Sequence, residues 1–383
     1  MHGIKTNILT TGTRPIVNAA TAVIGLIATA TAAAGAPATA LDAAFPLDTP
    51  VLVTDVRGAI AMAGTGGTLA PALAAIYDQC SPVVIVVRVA DEADPADQDA
   101  TTIGSAGDYS GVHALLAAQG ATGFRPRVIG APGLDSQAVT TALASVAQKL
   151  RAMVYAAAVA DSVAEAATYR VNFSARELML VWPNWSGDFA GDAVARALGL
   201  RARIDEESGW HKTISNVAVN GVTGVSENLF FDIQDPSTDV SALNDAQITT
   251  LVRSPAGGFI YWGNRTTSDE PLFAFEAATR TSQILQDEIA AGLIWAADKP
   301  LTAFLVKDVI ETINARLRTL VVQQRLIGGR AWFDPALNAQ ADLAAGKLVI
   351  DYEFTPAAPL EGMELNQRIT DRYYADLAQQ LAA

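Results

Sequence analysis

The sequence predicts an α/β protein: a largely parallel sheet flanked by helices in the central domain, then an α+β C-terminal domain, with extended strand arms at both chain ends. Three observations carry this. Between residues 51 and 181, strand patterns and helix patterns alternate. The run Val83-Val84-Ile85-Val86-Val87 is continuously β-branched, as a strand covered on both faces requires. From about residue 251 long amphipathic helices take over, while both termini show the period-two alternation of strands.

In chain order, Ile4, Thr6, Ile8 and Thr10 share one face of an extended arm, and a buried β-segment is expected over 22–28. The Ala/Thr-rich stretch 21–41 has the small residues of a signal-peptide core, but Pro15, Asn18 and the threonines break it up. No run of about 18 apolar residues offers a membrane span. Val51-Leu52-Val53 leads to a helix over 71–79; Val128-Ile129-Gly130 leads to a helix over 136–151. Strands over 153–159 and 177–181 flank a helix over 163–172. The acidic stretch 91–99 lacks calcium-loop spacing and is expected to be a solvated loop. A helix over 274–297 buries Leu285, Ile289 and Leu293. In the next helix Val306, Val309, Ile310, Ile313, Leu317, Leu320 and Val321 form one face, with Lys307, Glu311, Asn314 and Arg318 opposite. Near the C-terminus Leu348, Ile350, Tyr352 and Phe354 share one strand face, and Asp351 and Glu353 the other. After the break at Pro356-Ala357-Ala358-Pro359, Met363, Leu365, Ile369 and Tyr373 alternate with polar residues, which predicts a second strand and a terminal hairpin. The expected division is therefore an N-terminal arm and strand over 1–28, an α/β outer domain over 29–250, the helical part of an inner domain over 251–346, and a hairpin and arm over 347–383.

With 383 residues, 50% hydrophobic and 17% charged, the chain can bury a full core in two or three domains. A net charge of −14 with no Lys/Arg block lacks the electrostatic footprint of a nucleic-acid surface. A single cysteine, Cys80, excludes an intramolecular disulfide framework and a zinc ribbon.

The α/β pattern raises the alternative of a hydrolase or nucleotide-binding enzyme, and the Ala/Thr-rich start that of a secreted surface protein. The chemistry for an enzyme is not visible. His2, His113 and His211 are scattered; Asp205, Ser208 and His211 hold the letters of a triad inside one loop, with no G-x-S-x-G elbow. Gly64-Thr65-Gly66-Gly67 lacks the G-K-[ST] ending of a Walker loop and the third glycine of a dinucleotide fingerprint. The six tryptophans are spread along the chain and suit packing better than a binding cage. No catalytic, metal or cofactor residue is assigned.

One motif is more specific. Tyr261-Trp262-Gly263-Asn264-Arg265-Thr266 resembles the W-G-N-R-T signature of tail sheath subunits in contractile phages and R-type pyocins. Residues 275–281, Ile294-Trp295-Ala296 and Val306-Lys307-Asp308-Val309 follow in that family's order, and Gly221-Val222-Thr223-Gly224 and Ala131-Pro132-Gly133 also fit it. The resemblance implies a structural subunit, not an enzyme, that polymerises helically around a tail tube and contracts from a metastable extended state without a nucleotide cofactor. It implies that the arms, carrying Ile4 and Ile8 at one end and Ile350, Tyr352, Phe354, Leu365, Ile369 and Tyr373 at the other, complete a sheet across neighbouring subunits. It further implies that basic side chains of an inner-domain helix face the tube, with Lys307, Arg316, Arg318 and Arg325 as candidates. Each arginine has the competing role of complementing the negative end of its own helix. The implied partners are other copies of the chain, the tail tube, baseplate and tail terminator proteins, with no direct nucleic-acid contact and no membrane insertion. The implied location is a virion tail or tail-like particle, assembled in the bacterial host cytoplasm.

Overall fold

The computed structural model describes residues 16, 20–32, 38–374, 377, 380 and 381. Its centre is a nine-stranded sheet. The strands among the described residues are β1 (Ile24–Thr29), β2 (Val51–Val53), β3 (Val84–Val89), β4 (Val128–Gly130), β5 (Met153–Ala157), β6 (Leu178–Val181), β7 (Trp185–Ser186), β8 (Ala218–Val219), β9 (Gly224–Val225), β10 (Ile248–Arg253), β11 (Phe259–Trp262), β12 (Leu326–Trp332) and β13 (Asp351–Pro356). The sheet order is β2-β3-β1-β4-β5-β6-β10-β11-β8. The six strands from β3 to β10 in that order run parallel; β2, β11 and β8 pair antiparallel at the flanks.

The expected segment at 22–28 is β1, and every one of its six residues is buried. It lies between β3 and β4, with Ile24 opposite both Val84 and Val128. A helix layer covers each sheet face, which is why β1, β3 and β6 are apolar at consecutive positions. One layer holds α1 (Leu69–Gln79) and α3 (Ala193–Glu207), with Leu73, Ile76, Leu198 and Ile204 in its core. The other holds α2 (Gln137–Leu150), with Val139, Leu143 and Val146 against Ile27, Val87 and Ile129. Local signals set the helix ends: Ser136 caps α2 through Val139 N–H, and Asp192 caps α3 through Ala195 N–H.

The second body is built from α4 (Glu276–Leu293), α5 (Ala303–Val322) and the antiparallel β12–β13 pair. Leu285, Ile289, Val309, Ile313, Leu317 and Leu320 form its core, and Ile350, Tyr352 and Phe354 pack on it from the sheet.

Four expectations change. The acidic stretch is partly helical, because Asp94 accepts hydrogen bonds from Ala96 and Asp97 N–H and Pro95 starts a helix over Pro95–Ile103. The sheet runs through the boundary expected at 250/251: β10 (Ile248–Arg253) straddles it, β11 lies beyond it, and both belong to the outer sheet. The hairpin expected within 347–383 does not form, since β13 pairs with β12, upstream of that segment. Residues 357–371 have no regular structure, so the strand expected around Leu365 and Ile369 is absent from the single chain. A strand with one apolar face needs a neighbouring edge to pair with, and among the described residues no strand pairs with this segment. The arm residues Ile4 and Ile8 lie outside the described residues.

Candidate assembly surfaces

The signature residues form a joint between the two bodies. Trp262, the last residue of β11, packs against Phe231 at 5.4 Å between ring centroids. Gly263 has φ +142, and a Cβ there would sit 2.8 Å from Thr249 Cα, so only glycine fits. Its N–H donates to Ser215 Oγ at 3.1 Å. Asn264 is buried, and its carbonyl accepts from Glu276 N–H at 3.0 Å, satisfying one of the free donors that begin α4. Arg265 grips Glu361 with two hydrogen bonds, Nε to Oε1 at 2.7 Å and Nη2 to Oε2 at 2.6 Å. It thereby holds the root of the C-terminal segment. Thr266 donates to the Phe273 carbonyl and Thr267 to the Ala175 carbonyl, at 2.8 and 2.7 Å.

Behind the signature lies a fully buried ionic cluster that sequence patterning did not reveal. Glu276, at the start of α4, accepts from Arg201 Nη1 at 3.0 Å, Thr213 Oγ at 3.1 Å, Ile214 N–H at 3.3 Å and the Tyr155 hydroxyl. Arg201 also donates to Asp205 Oδ1 at 2.7 Å, and Arg280 pairs with the other oxygen of Asp205. Burial alone would raise the Glu276 pKa, but Arg201, then Arg280 and the donated hydrogen bonds outweigh it and hold it below the usual carboxylate value. Arg201, Asp205 and Glu276 are 0% exposed, so each charge depends on its partners. Tyr155 comes from β5, Arg201 and Asp205 from α3, and Glu276 and Arg280 from α4; the cluster ties the inner body to the outer sheet.

Two further fastenings lie along α4. Asp287 faces Arg125, Arg127 and Arg151, with Arg151 Nε at 2.6 Å. Gly292 receives Ile16, the first described residue: a Cβ there would sit 2.5 Å from Ile16 Cγ1.

Of the tube-facing candidates, Arg316 is corrected. It is buried and donates from both Nε and Nη2 to Glu288 Oε2, at 2.9 and 2.7 Å, joining α5 to α4. The signal was in the spacing, since 316 falls inside the buried stripe 309, 313, 317 and 320. Arg325 is half-buried, its guanidinium 4.4 Å from the Trp210 ring centroid. Lys307 and Arg318 are exposed. They share a stripe of α5 with Phe304, Glu311 and Val322, and Phe304 and Val322 are 75% and 83% exposed.

The second surface is the β12–β13 sheet. Among the described residues its two strands pair only with each other; the β13 edge carries no strand, and on the β12 edge Asn314 of α5 donates to the Ala331 carbonyl at 3.0 Å and accepts from its N–H at 2.8 Å. Tyr352 and Phe354 face the core, while Arg330 and Glu353 pair across the outward face at 2.7 Å. Beyond it Leu365, Ile369 and Tyr373 are 82%, 96% and 60% exposed.

The places where an α/β enzyme would act are closed or wrongly charged. The strand order reverses at β1 and β4, where such folds hold ligands beyond the strand C-termini. Here the Gly64–Gly67 turn folds onto the end of β1. The N–H groups of Thr65 and Thr68 donate to the carbonyls of Thr31 and Thr29 at 3.2 and 3.0 Å, so they are not free to cradle phosphate. A crevice of about 310 Å³ beyond β5 and β6 is lined by Asp161, Asp192 and Glu227 with no Lys, Arg or His. Asp205 of the apparent triad is held by Arg201 and Arg280. Among the described residues there is no His/Cys/Asp/Glu group fit to hold a metal, and no helix long and apolar enough to cross a membrane.

Comparison with known proteins follows this division. Residues 107–267 match the phage tail sheath protein central domain and 268–370 the phage tail sheath C-terminal domain. Residues 21–89 match the N-terminal region of domain III of the tail sheath protein Gp18. The chain is 47% identical to the tail sheath protein of Escherichia phage P2, over 98% of this chain and 97% of that one. It is 45% identical to the major tail sheath protein of Serratia phage KSP20, over 92% and 91%. In fold it is similar to the contracted helical sheath of the anti-feeding prophage, with a TM-score of 0.71 at 18% identity, over 97% of this chain and 99% of that one. The contracted sheath of the extracellular PVC injection system gives a TM-score of 0.69 at 14% identity, over the same shares.

Proposed function

The chain belongs to the phage tail sheath family, as a structural subunit of a contractile tail and not an enzyme, and from that premise we propose how its surfaces build the sheath. The subunit works in a homo-oligomeric helical sheath and is a component of the virion tail or of a related contractile particle. In our reading the two arms connect the copies. The observation that carries it is the open β12–β13 sheet beside a C-terminal segment whose Leu365 and Ile369 stand in solvent. Strand addition satisfies the unpaired edge groups at about 1 kcal/mol net per hydrogen bond, and alternate side chains set the register. The N-terminal arm with Ile4 and Ile8 supplies one such strand, and the C-terminal segment with Leu365, Ile369 and Tyr373 the other. Heterologous contacts of this kind do not close on themselves and so generate a helix.

The exposed α5 stripe is the surface we assign to the tail tube, with Lys307 and Arg318 as its cations. Baseplate and tail terminator proteins bound the tube-filled sheath at its ends, and assembly takes place in the bacterial host before the particle acts. Contraction then needs no cofactor, because a metastable lattice adds a gap of a few kcal/mol per subunit over many subunits.

Electron microscopy of the purified chain tests the arm reading. Wild type should form hollow, striated tubes. A chain lacking residues 1–15 should remain a folded monomer, and tubes of normal length from it would overturn the reading.

A further inference from the structure

Two charge clusters are left unbalanced within the subunit, and they have opposite signs. In the first, Arg125, Arg127 and Arg151 share Asp287, three guanidinium groups against one carboxylate. Arg127 is buried; that burial lowers its pKa, Asp287 opposes the shift, and Arg125 and Arg151 add to it. Arg125 and Arg151 keep 29% and 33% of their side chains exposed, and exposed Lys149 in the last turn of α2 adds another cation. The second cluster is the end of α3. Asp205 there is matched by Arg201 and Arg280, but Glu206 and Glu207 are exposed and belong to none of the ion pairs among the described residues. Arg203, one turn back, donates to the Ala218 carbonyl. Carboxylates at a helix C-terminus also oppose the helix dipole, and the Glu206 pKa is raised by burial and then by Asp205 and Glu207.

Topology sets the two clusters level with each other on opposite faces of the large sheet. β4 and β5 run parallel; Arg125 and Arg127 precede one and Arg151 the other, so all three lie at the N-terminal edge of the sheet, on the side covered by α2. The other face is covered by α3, and α4 shows that α3 ends at the same edge. Arg280 pairs with Asp205, Gln283 donates at 3.1 Å to the Ala152 carbonyl just ahead of β5, and Asp287 meets the arginines. From 280 to 287 a helix rises about 10 Å, so α4 passes under the sheet from one cluster to the other.

We infer that the arginine cluster around Asp287 receives the Glu206 and Glu207 carboxylates of a second copy of the chain, in a contact separate from the arms. The second copy turns its α3 face to the α2 face of the first. Guanidinium groups take carboxylates in a directed, two-pronged geometry, which fixes the orientation of the two bodies. Each copy in such a pair still has one unused cluster. The contact therefore repeats without closing, as a helical sheath requires.

Cross-linking that leaves every charge in place tests this. Gln119 accepts from Arg125 Nε at 2.7 Å, Ser208 follows Glu207, and both are exposed. Full-length chains with Cys80→Ser are used, one carrying Gln119→Cys and the other, size-tagged, carrying Ser208→Cys. After co-assembly, a short bismaleimide should link the two kinds of chain to each other in polymers but not in dispersed protein. Links only between chains of the same kind, or none in well-formed polymers, would overturn the contact. As a second measurement, Glu206→Lys with Glu207→Lys should lower polymer yield at least tenfold at low salt, with the melting temperature of the soluble chain unchanged. A smaller drop also overturns it, and if the double variant loses its fold the cross-link alone decides. The arms are intact in every variant, so failure here leaves the arm reading standing.

Discussion

The nine-stranded sheet and the two-stranded β12–β13 sheet solve the same problem in opposite ways. The large sheet satisfies itself: its central strands are paired on both sides, and both its faces are covered by helices from the same chain. The small sheet has only two strands among the described residues, with one edge partly closed by Asn314 and apolar chain beyond it in solvent. A lone pair of strands is marginal in water. Within the subunit this pair is held by packing on α4 and α5 through Tyr352 and Phe354, and in the reading proposed above it is where subunits complete one another.

Removing Glu276 should break this contrast most severely. Glu276→Ala strands Arg201 and Arg280 in the interior; loss of one partner of a buried ion pair costs about 3–5 kcal/mol. Chemical denaturation should show the inner body melting before the outer sheet, and a single unshifted transition would deny the joint its role. Deleting residues 1–15 should act the other way, abolishing tubes under the electron microscope while shifting the monomer melting temperature by less than about 3 °C.

The outer body carries its own weakness in acid–base terms. Asp135 is buried, accepts from Ala157 N–H at 2.5 Å, and its pKa is pushed up to about 7 by burial and then by Asp192. A carboxyl raised above its unfolded value contributes full stability below about pH 4 and loses it as pH climbs to 7, by up to about 1.4 kcal/mol per pH unit. Glu276 has the opposite sign: its contribution is present above the usual carboxylate pKa and is lost as pH falls through its lowered folded value. The wild-type chain should therefore unfold more readily at pH 8 than at pH 6, and Asp135→Asn should flatten that difference in thermal melts. The smallest effect on folding is expected at Arg318, exposed and paired only with exposed Glu311. Arg318→Glu should change stability by about 0.5 kcal/mol or less. It should still weaken sheath assembly on purified tubes, which co-sedimentation would detect.

Much of the outer body, and the α5 helix of the inner one, was legible because the signals are local. The β-branched run at 83–87, the Ser136 cap and the helical stripe from Val309 to Leu320 each depend on neighbours in sequence. The signature was also legible, but the reason for its letters was not: Gly263 is fixed by Thr249 and Arg265 by Glu361, 96 positions away. Glu276, Arg201 and Asp205 carry no pattern at all, because a buried charge is recognised by partners brought in from three separate elements. The missing strand around Leu365 failed for another reason, since its alternation describes a pairing that the single chain does not contain.

The Ile16–Gly292 contact has a consequence for the reach of the lattice. Ile16 is seated on α4, and the arm proposed to reach another copy is the 15 residues before it in this sequence. A fully extended chain spans about 3.4 Å per residue, so this leash is at most about 50 Å long. The C-terminal segment, held at Glu361 by Arg265, has 22 residues beyond that anchor in this sequence and could stretch to about 75 Å. In the arm reading proposed above, the shorter tether sets how far two connected bodies can part before a strand must peel away.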